Sequence, residues 1–405
     1  MNKKIILIVI SAFVLRLAAL ILLGRHVNPE RWEYDYIAVN LIQHHGYVFW
    51  HLNTTYHTYA YPVYALLTAV FHLLTNYNYF ILELFQISLS AFSCYFIYWI
   101  SEIIFDKKTG LIAAILVATH PGLIVYSTKL SEVTLIIFLL SLTFLLILKL
   151  DMLKVRNNIL LGLLIGIGML TRPLAVFFLP VYGLYAWFSA QRKRVFFRVI
   201  SVVSLSAALA ITPWTIRNYL IHKRFIFITT NTPEYFWRGN NPQATGTALR
   251  PDKQDIMAVA PQEFKDKLFK MNEIQQYDFF MKTAWEHIKS DPLFFVKMCF
   301  KKFLYFWWFT PTIGILYPDS WTLVYKIYYS VIFILFIVGC IASLIKLKGI
   351  KKISVVSLFG FFFLTSLLHS IYYLETRHRL SIEPLLLIFS SYGFILLWGK
   401  LRFRR

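Results

Sequence analysis

The sequence predicts an all-α, polytopic membrane protein of about ten transmembrane helices, and three observations predict it. The chain is 58% hydrophobic and 15% charged, whereas about a quarter of the residues in a soluble globular domain carry charge. Apolar stretches of spanning length recur from residue 4 to residue 399. Short basic runs separate them in alternation, the pattern that cytoplasmic loops show. Residues 1–405 are therefore expected to form a single membrane domain. The net charge of +21 would suggest nucleic acid in a soluble protein. Here the basic residues lie between apolar segments, where they set topology and meet anionic lipid head groups, so membrane lipid and not nucleic acid is the expected partner.

The first apolar run, residues 5–23, follows Lys3-Lys4 as a signal peptide would, but it is long and lacks a small-residue cleavage site. It is expected to be retained as the first span. Further spans are expected over about 85–105, 109–127, 132–149, 158–170, 173–189, 197–213, 322–346, 353–372 and 384–399. Residues 159–189 as one helix would reach about 46 Å, well beyond a hydrocarbon core of about 30 Å. Arg172-Pro173 divides that stretch into two short spans. The division also keeps every short basic loop on one side: Lys107-Lys108, Lys154 with Arg156, Arg192-Lys193-Arg194 with Arg198, residues 346–352 and residues 400–405. Both termini are then cytoplasmic, and the location is the cell (cytoplasmic or inner) membrane.

Two extracytoplasmic segments remain, a first loop over residues 24–79 and a second, long loop over residues 214–322. The first is expected to carry surface helices and the second to be mainly helical. In the second, Phe264, Leu268, Met271, Ile274, Tyr277, Phe280 and Met281 recur at spacings of three and four, until Asp291-Pro292 ends one helix and starts another. Residues 303–309 are dense in the aromatic side chains that favour the membrane interface. Cys94, Cys299 and Cys340 give no disulfide or metal framework. Histidines 44, 45, 51 and 57 lack accompanying cysteines and regular spacing, so they read as loop residues and not as zinc ligands.

Topology sorts the ionisable residues by side. Glu33, Asp35, Lys129, Glu132, Arg172, Arg217, Glu375, Arg377, Arg379 and Glu383 all fall at outer helix ends or next to them. Charges there can face a wet cavity, and external arginines run against the positive-inside bias. For any one of them, topology or snorkelling is an equal explanation. As a set from separate segments they suit an active site in a helical bundle.

In order and spacing these residues resemble the C-type-fold membrane glycosyltransferases, specifically the protein O-mannosyltransferase and lipid A aminoarabinose transferase branch. The resemblance runs from Arg16 to Pro384. It rests on Glu33-Tyr34-Asp35 leading into Ala38-Val39-Asn40-Leu41 and Gly46-Tyr47, then Tyr61-Pro62-Val63-Tyr64, Ser131-Glu132 and Thr171-Arg172-Pro173. It continues through Pro213-Trp214-Thr215-Ile216-Arg217-Asn218-Tyr219, Trp237-Arg238-Gly239-Asn240-Asn241-Pro242 with Thr245-Gly246, and Arg377-His378-Arg379 to Ile382-Glu383-Pro384. The branch has an adjacent Asp-Glu pair in the first loop where this chain has Glu-Tyr-Asp.

The resemblance implies transfer of a hexosyl or pentosyl group from a polyprenyl-phosphate-linked donor to an extracytoplasmic acceptor: a glycolipid, a polysaccharide or a protein. A first-loop carboxylate would be the base of a single inverting displacement, Asp35 with Glu33 as its neighbour or the reverse. Arg172, Arg217, Arg377 and Arg379 would hold the donor phosphate. Glu132, Asn240 and Glu383 would contact acceptor or sugar. Arg172 has a structural alternative, pairing with Glu132 or Glu375, and Arg16 in the first span reads as a structural or snorkelling residue. No cofactor is required; some relatives use a divalent cation, which no acid cluster here demands. The rival classes are a transporter or flippase of lipid-linked saccharides, which would place charges and helix breaks near mid-span, and a non-catalytic scaffold.

Overall fold

The computed structural model describes residues 3–189, 192–312 and 317–402. Residues 403–405 of the C-terminal basic run lie outside the described residues. The chain begins with α1 (Lys3–Leu22) and then forms α2 (Glu33–Ile42), a hairpin of β1 (Phe49–His51) and β2 (Thr54–Tyr56), and α3 (Pro62–Thr75). There follow α4 (Tyr79–Ile104), α5 (Lys107–Thr119), α6 (Pro121–Ser127), α7 (Val133–Lys149) and α8 (Val155–Met169). A 3-10 turn (Pro173–Phe177) leads into α9 (Phe178–Ser189) and α10 (Lys193–His222). The long segment holds α11 (Thr232–Gly239), α12 (Gln262–Leu268), α13 (Glu273–Ser290) and α14 (Pro292–Trp307). The last elements are α15 (Asp319–Lys346), α16 (Gly349–Ile371), the short α17 (Thr376–Leu380) and α18 (Glu383–Arg402).

Five helices, α1, α4, α10, α15 and α16, are long and apolar enough to cross a membrane, and α5 with α6 makes a sixth if the bent pair is one span. Shorter apolar helices include α7, α8, α9 and α18. Their leucine, isoleucine and phenylalanine side chains share one large buried cluster with those of α4, α5 and α16. Two glycines set the closest crossing. A Cβ on Gly339 of α15 would lie 1.9 Å from the Phe389 carbonyl oxygen of α18, and one on Gly393 would lie 2.1 Å from that of Leu335. Only glycine on both sides lets the backbones approach that far.

Three details differ from the sequence-based expectation. The stretch 109–127 is not straight: it bends by 54° at His120–Pro121, where proline supplies no N–H and the His120 ring caps the new helix by accepting from the Leu123 amide at 3.2 Å. The long segment does not begin at Trp214, because α10 continues through Pro213 to His222. Within an apolar environment a proline interrupts the hydrogen-bond ladder without ending the helix. The first segment carries an antiparallel hairpin, with Trp50 paired to Thr55, in addition to its helices. The break at Arg172–Pro173 falls where proline chemistry places it, with α8 ending at Met169.

The bend leaves carbonyls that cationic side chains take up. Val117 would ordinarily accept from residue 121, which is proline; the buried Arg16 instead donates to the carbonyls of Val117 (3.1 Å), Ala118 (3.0 Å) and Ala12 (3.1 Å), and to the Ser90 hydroxyl (2.7 Å). Arg16→Leu removes all four bonds, so the thermal aggregation midpoint of the purified protein in detergent is expected to fall, reflecting a loss of about 3 kcal/mol or more. An unchanged midpoint would show that those carbonyls have other partners.

Candidate active site

Glu33 and Asp35 stand two residues apart in the first turn of α2, which directs their side chains about 200° apart around the helix. The structure separates them accordingly. Asp35 is fully buried behind α2, where it accepts from His72 Nε2 at 2.7 Å, from Arg31 Nε and from the Tyr79 hydroxyl at 3.3 Å. Burial alone would raise its carboxyl pKa; the bonds from His72 and Arg31 outweigh that and hold it below the ordinary range. Asp35 thus fastens α2 to α3 and to the start of α4.

Glu33 lies on the other side of α2, within reach of Glu132, Arg377 and His51. It is half-buried and, among the described residues, takes no hydrogen bond from any other residue. Desolvation and the nearby Glu132 raise its pKa, and Arg377 and His51 offset this in part. Two carboxylates of one helix turn therefore have opposite characters, one with its charged form favoured and one with its charged form disfavoured.

Glu132, at the N-terminus of α7, accepts from Arg172 at 2.7 and 2.6 Å, and Arg172 also donates to the Ser381 hydroxyl at 2.8 Å. The structural pairing of Arg172 with Glu132, one of the two alternatives open from the sequence, is the one formed. Arg377 on α17 is half-buried, 2.7 Å from Glu375, and its guanidinium lies 4.6 Å from the centre of the Trp32 ring. Lys129 approaches the same ring at 5.7 Å, bonds Glu30 at 2.6 Å and the Tyr317 hydroxyl, and lies against Tyr126. Arg25 completes this wing through Glu30 at 2.7 Å. Cations thus flank the indole of Trp32, the residue immediately before Glu33, an arrangement suited to a phosphate attached to an apolar tail.

The other wing is uncharged or neutralised. His51 of β1 meets Glu234 of α11 at 3.1 Å, and Glu234 also receives Arg238 at 2.8 Å. Burial would raise Glu234, but Arg238 and His51 bring it down to about 2. Arg238 is shared with Asp255 at 2.9 Å. Tyr34, Tyr59 and Tyr235 lie close enough to Glu33 to feel its charge.

The remaining residues singled out from the sequence lie elsewhere. Arg217, on α10, donates to the His57 carbonyl at 2.7 Å and to the Thr58 hydroxyl at 3.1 Å, and stacks on Trp214 and Tyr47. It fastens the first segment to α10. Arg379 is buried, donating to Glu383 at 2.8 Å, to Tyr325 at 2.9 Å and to the carbonyls of Phe306 and Trp308 at the end of α14. Glu383 in turn sits 2.8 Å from His120 at the bend. Asn240 bonds the carbonyls of Phe236 and Ile371, both at 2.8 Å, and accepts from the buried Lys302 at 3.2 Å. The polar atoms of Arg217, Arg379, Glu383 and Asn240 are thus engaged within the protein. Lys129 is one of the outer-side charges and Arg25 lies at the start of the first loop, whereas Trp32, Tyr34 and Tyr235 carry no charge to mark them. Among the described residues no group of three or more His, Cys, Asp or Glu is placed to hold a metal ion.

Residues 57–216, less than half of the chain, match the family described as dolichyl-phosphate-mannose-protein mannosyltransferase. No curated protein matches the sequence. Among solved structures, the oligosaccharyltransferase of Archaeoglobus fulgidus tethered with an acceptor peptide superposes with a TM-score of 0.60 at 13% identity, over 100% of this chain and 51% of that one. The same enzyme with an inhibitory peptide and a dolichol-phosphate gives 0.57 at 13% identity, again over 100% and 51%. ArnT from Cupriavidus metallidurans bound to undecaprenyl phosphate gives 0.47 at 13% identity, over 94% and 77%. The chain spans about half the length of the oligosaccharyltransferase it matches.

The two acids predict opposite stability effects. Asp35→Ala leaves His72 and Arg31 without their carboxylate and is expected to cost about 3 kcal/mol. For Glu33 the folded pKa lies above the unfolded one, so its favourable contribution exists at low pH and is lost as pH rises through the folded value. Glu33→Gln is therefore expected to melt at or above the wild-type temperature at pH 7. A drop for Glu33→Gln as large as that for Asp35→Ala would contradict the assignment.

Proposed function

We propose that this protein is an integral membrane glycosyltransferase that moves a sugar from a polyprenyl-phosphate-linked donor to an acceptor hydroxyl outside the cytoplasm, with Glu33 as the base. The observation that carries this reading is the unpartnered carboxylate of Glu33, its pKa raised by burial and by Glu132, beside the Arg377–Trp32–Lys129 group. The family match over residues 57–216 supports the reaction class. In the same reading the shorter apolar helices α7, α8, α9 and α18 also span, giving ten spans with α1, α4, the bent α5–α6 pair, α10, α15 and α16. The basic loops then face the cytoplasm with both termini, the cleft opens on the outer side, and the protein resides in the cell's inner membrane.

The chemistry follows from the two sides of Glu33. Its carboxylate takes the proton from the acceptor O–H as that oxygen attacks the anomeric carbon, and the bond from carbon to phosphate oxygen breaks on the far side. The bonding pair leaves with the polyprenyl phosphate, so configuration inverts. Arg377 and Lys129 meet the charge that grows on the leaving phosphate, and Trp32 keeps water from that face. Arg172 holds Glu132 near Glu33 and so keeps the base from being too acidic to accept a proton. The base assignment favoured from the sequence thus passes from Asp35 to Glu33, and Asp35 becomes the residue that positions it.

Glu33→Gln is expected to lower transfer by about 100-fold or more, while Lys129→Ala raises the donor KM about tenfold. Mass spectrometry of polyprenyl-phosphate-linked sugars in a deletion strain checks the first: one donor species accumulates, clears with wild type and persists with Glu33→Gln. Clearance by Glu33→Gln at matched protein level removes Glu33 from the mechanism. In the pH profile, the acid limb of kcat/KM is expected above the ordinary carboxylate range. Glu132→Gln withdraws a negative neighbour and shifts that limb to lower pH, and Arg377→Gln withdraws a positive one and shifts it to higher pH. Shifts of the reverse sign would exclude Glu33 as the titrating group.

A further inference from the structure

Around Glu33 the structure holds hydrogen-bonding groups that the protein itself leaves unused. The hydroxyl of Tyr34, on α2, and that of Tyr235, on α11, have no protein partner among the described residues, yet both phenols neighbour Glu33 and each other. The other tyrosines nearby are engaged: Tyr47 donates to the Ala60 carbonyl at 2.9 Å, Tyr64 to Gln86 at 2.6 Å and Tyr56 to Gln276. Tyr34 is buried, packed edge-on against Tyr64 with ring centres 5.4 Å apart. Tyr235 is held the same way by Tyr373 at 5.3 Å. Two phenols fixed by packing beside a base, with hydroxyls that no protein group among the described residues engages, form a prepared recognition surface, because a ligand hydroxyl can bond them without displacing an internal hydrogen bond.

The charge around these phenols narrows what they recognise. Desolvation and the neighbouring carboxylates hold both well above the ordinary phenol range, so at neutral pH they are un-ionised donors and acceptors. On the side built by the hairpin and α11, Arg238 is neutralised by Glu234 and Asp255, and Arg377, which also acts on Tyr235, is paired with Glu375 and lies against Trp32. An anionic acceptor approaching there would meet Glu33 and Glu234. A peptide would present backbone amides that need extended pairing, and the hairpin offers strand edges of only three residues. A pyranose ring offers what the surface lacks: several uncharged hydroxyls for Tyr34, Tyr235 and His51, and C–H faces for the rings.

We propose that Tyr34 and Tyr235 form an acceptor subsite for a neutral sugar, so that the group transferred ends on a carbohydrate hydroxyl. This rests on the glycosyltransferase reading above and specifies its acceptor. In the step, the sugar hydroxyl loses its proton to Glu33 and its oxygen forms the new bond to the anomeric carbon, while the bond from that carbon to phosphate breaks.

The test uses the full chain in nanodiscs with the radiolabelled polyprenyl-phosphate sugar that accumulates in the deletion strain. The competing acceptors are methyl glycosides of glucose, galactose and mannose, their 6-phosphates, and an acetylated Ser/Thr peptide. The expected result is label on a neutral glycoside with a kcat/KM at least about tenfold above the phosphorylated glycosides and the peptide. Tyr34→Phe and Tyr235→Phe should each raise the glycoside KM about fivefold, and by more than they raise the donor KM. Equal or better transfer to the peptide or the phosphates overturns the proposal. So does an unchanged glycoside KM in both variants, and so does a donor KM that rises as much, which would give these hydroxyls to the donor's sugar. A wild-type protein that turns over no donor overturns the transferase reading, and this proposal with it.

Discussion

A helix that ends or breaks inside an apolar bundle leaves carbonyl oxygens that no water can reach, and much of this structure follows from how they are satisfied. Cationic side chains do it. Arg16 takes the carbonyls freed where Pro121 interrupts α5, Arg379 takes those at the end of α14, and Lys302 donates to Gly239 at the end of α11 and to Ile371 at the end of α16. Each placement also suits the negative end of the helix dipole. Among the described residues Lys302 has no carboxylate beside it, and burial lowers its pKa to about 8. The framework of the cleft is therefore held by charge set against backbone as much as by apolar packing.

The same requirement explains which parts of the site could be read from the sequence. Charge and side of the membrane mark every cation at an outer helix end alike. They do not tell a guanidinium that caps a helix from one that meets a ligand, because both are buried, both are costly and both need oxygen partners. Arg217, Arg379, Glu383 and Asn240 share the pattern of Arg377 and Glu132; all six have partners within the protein, and only the identity of those partners distinguishes them. Trp32, Tyr34 and Tyr235 were illegible for the opposite reason: aromatic residues are so frequent in this chain that single ones carry no signal until packing frees their edges.

The fold was more legible, since hydrophobic periodicity and proline act locally. The division at Arg172–Pro173 and the helix ending before Asp291–Pro292 both lie where backbone chemistry puts them. Pro213 misled because its ring is exposed on α10, where a missing hydrogen bond is tolerated and the helix runs on. The hairpin had too few residues for an alternating pattern to register. Between Glu33 and Asp35 the sequence supplied the right observation, that two positions of one turn face different ways, but what stands behind each face depends on His72, distant in sequence.

The ties that close the cleft join residues far apart along the chain: Lys129 with Tyr317, Arg172 with Ser381, and His51 with Glu234. Synthesis proceeds from the N-terminus, so the segment bearing Glu33 is made long before the partners that enclose it. Until residues near 234 and 380 have been translated and inserted, α2 has its own anchor in His72 but no cleft to face. A nascent or C-terminally shortened chain would thus carry the acid without the walls around it, and the competent site is a product of the last stages of membrane assembly.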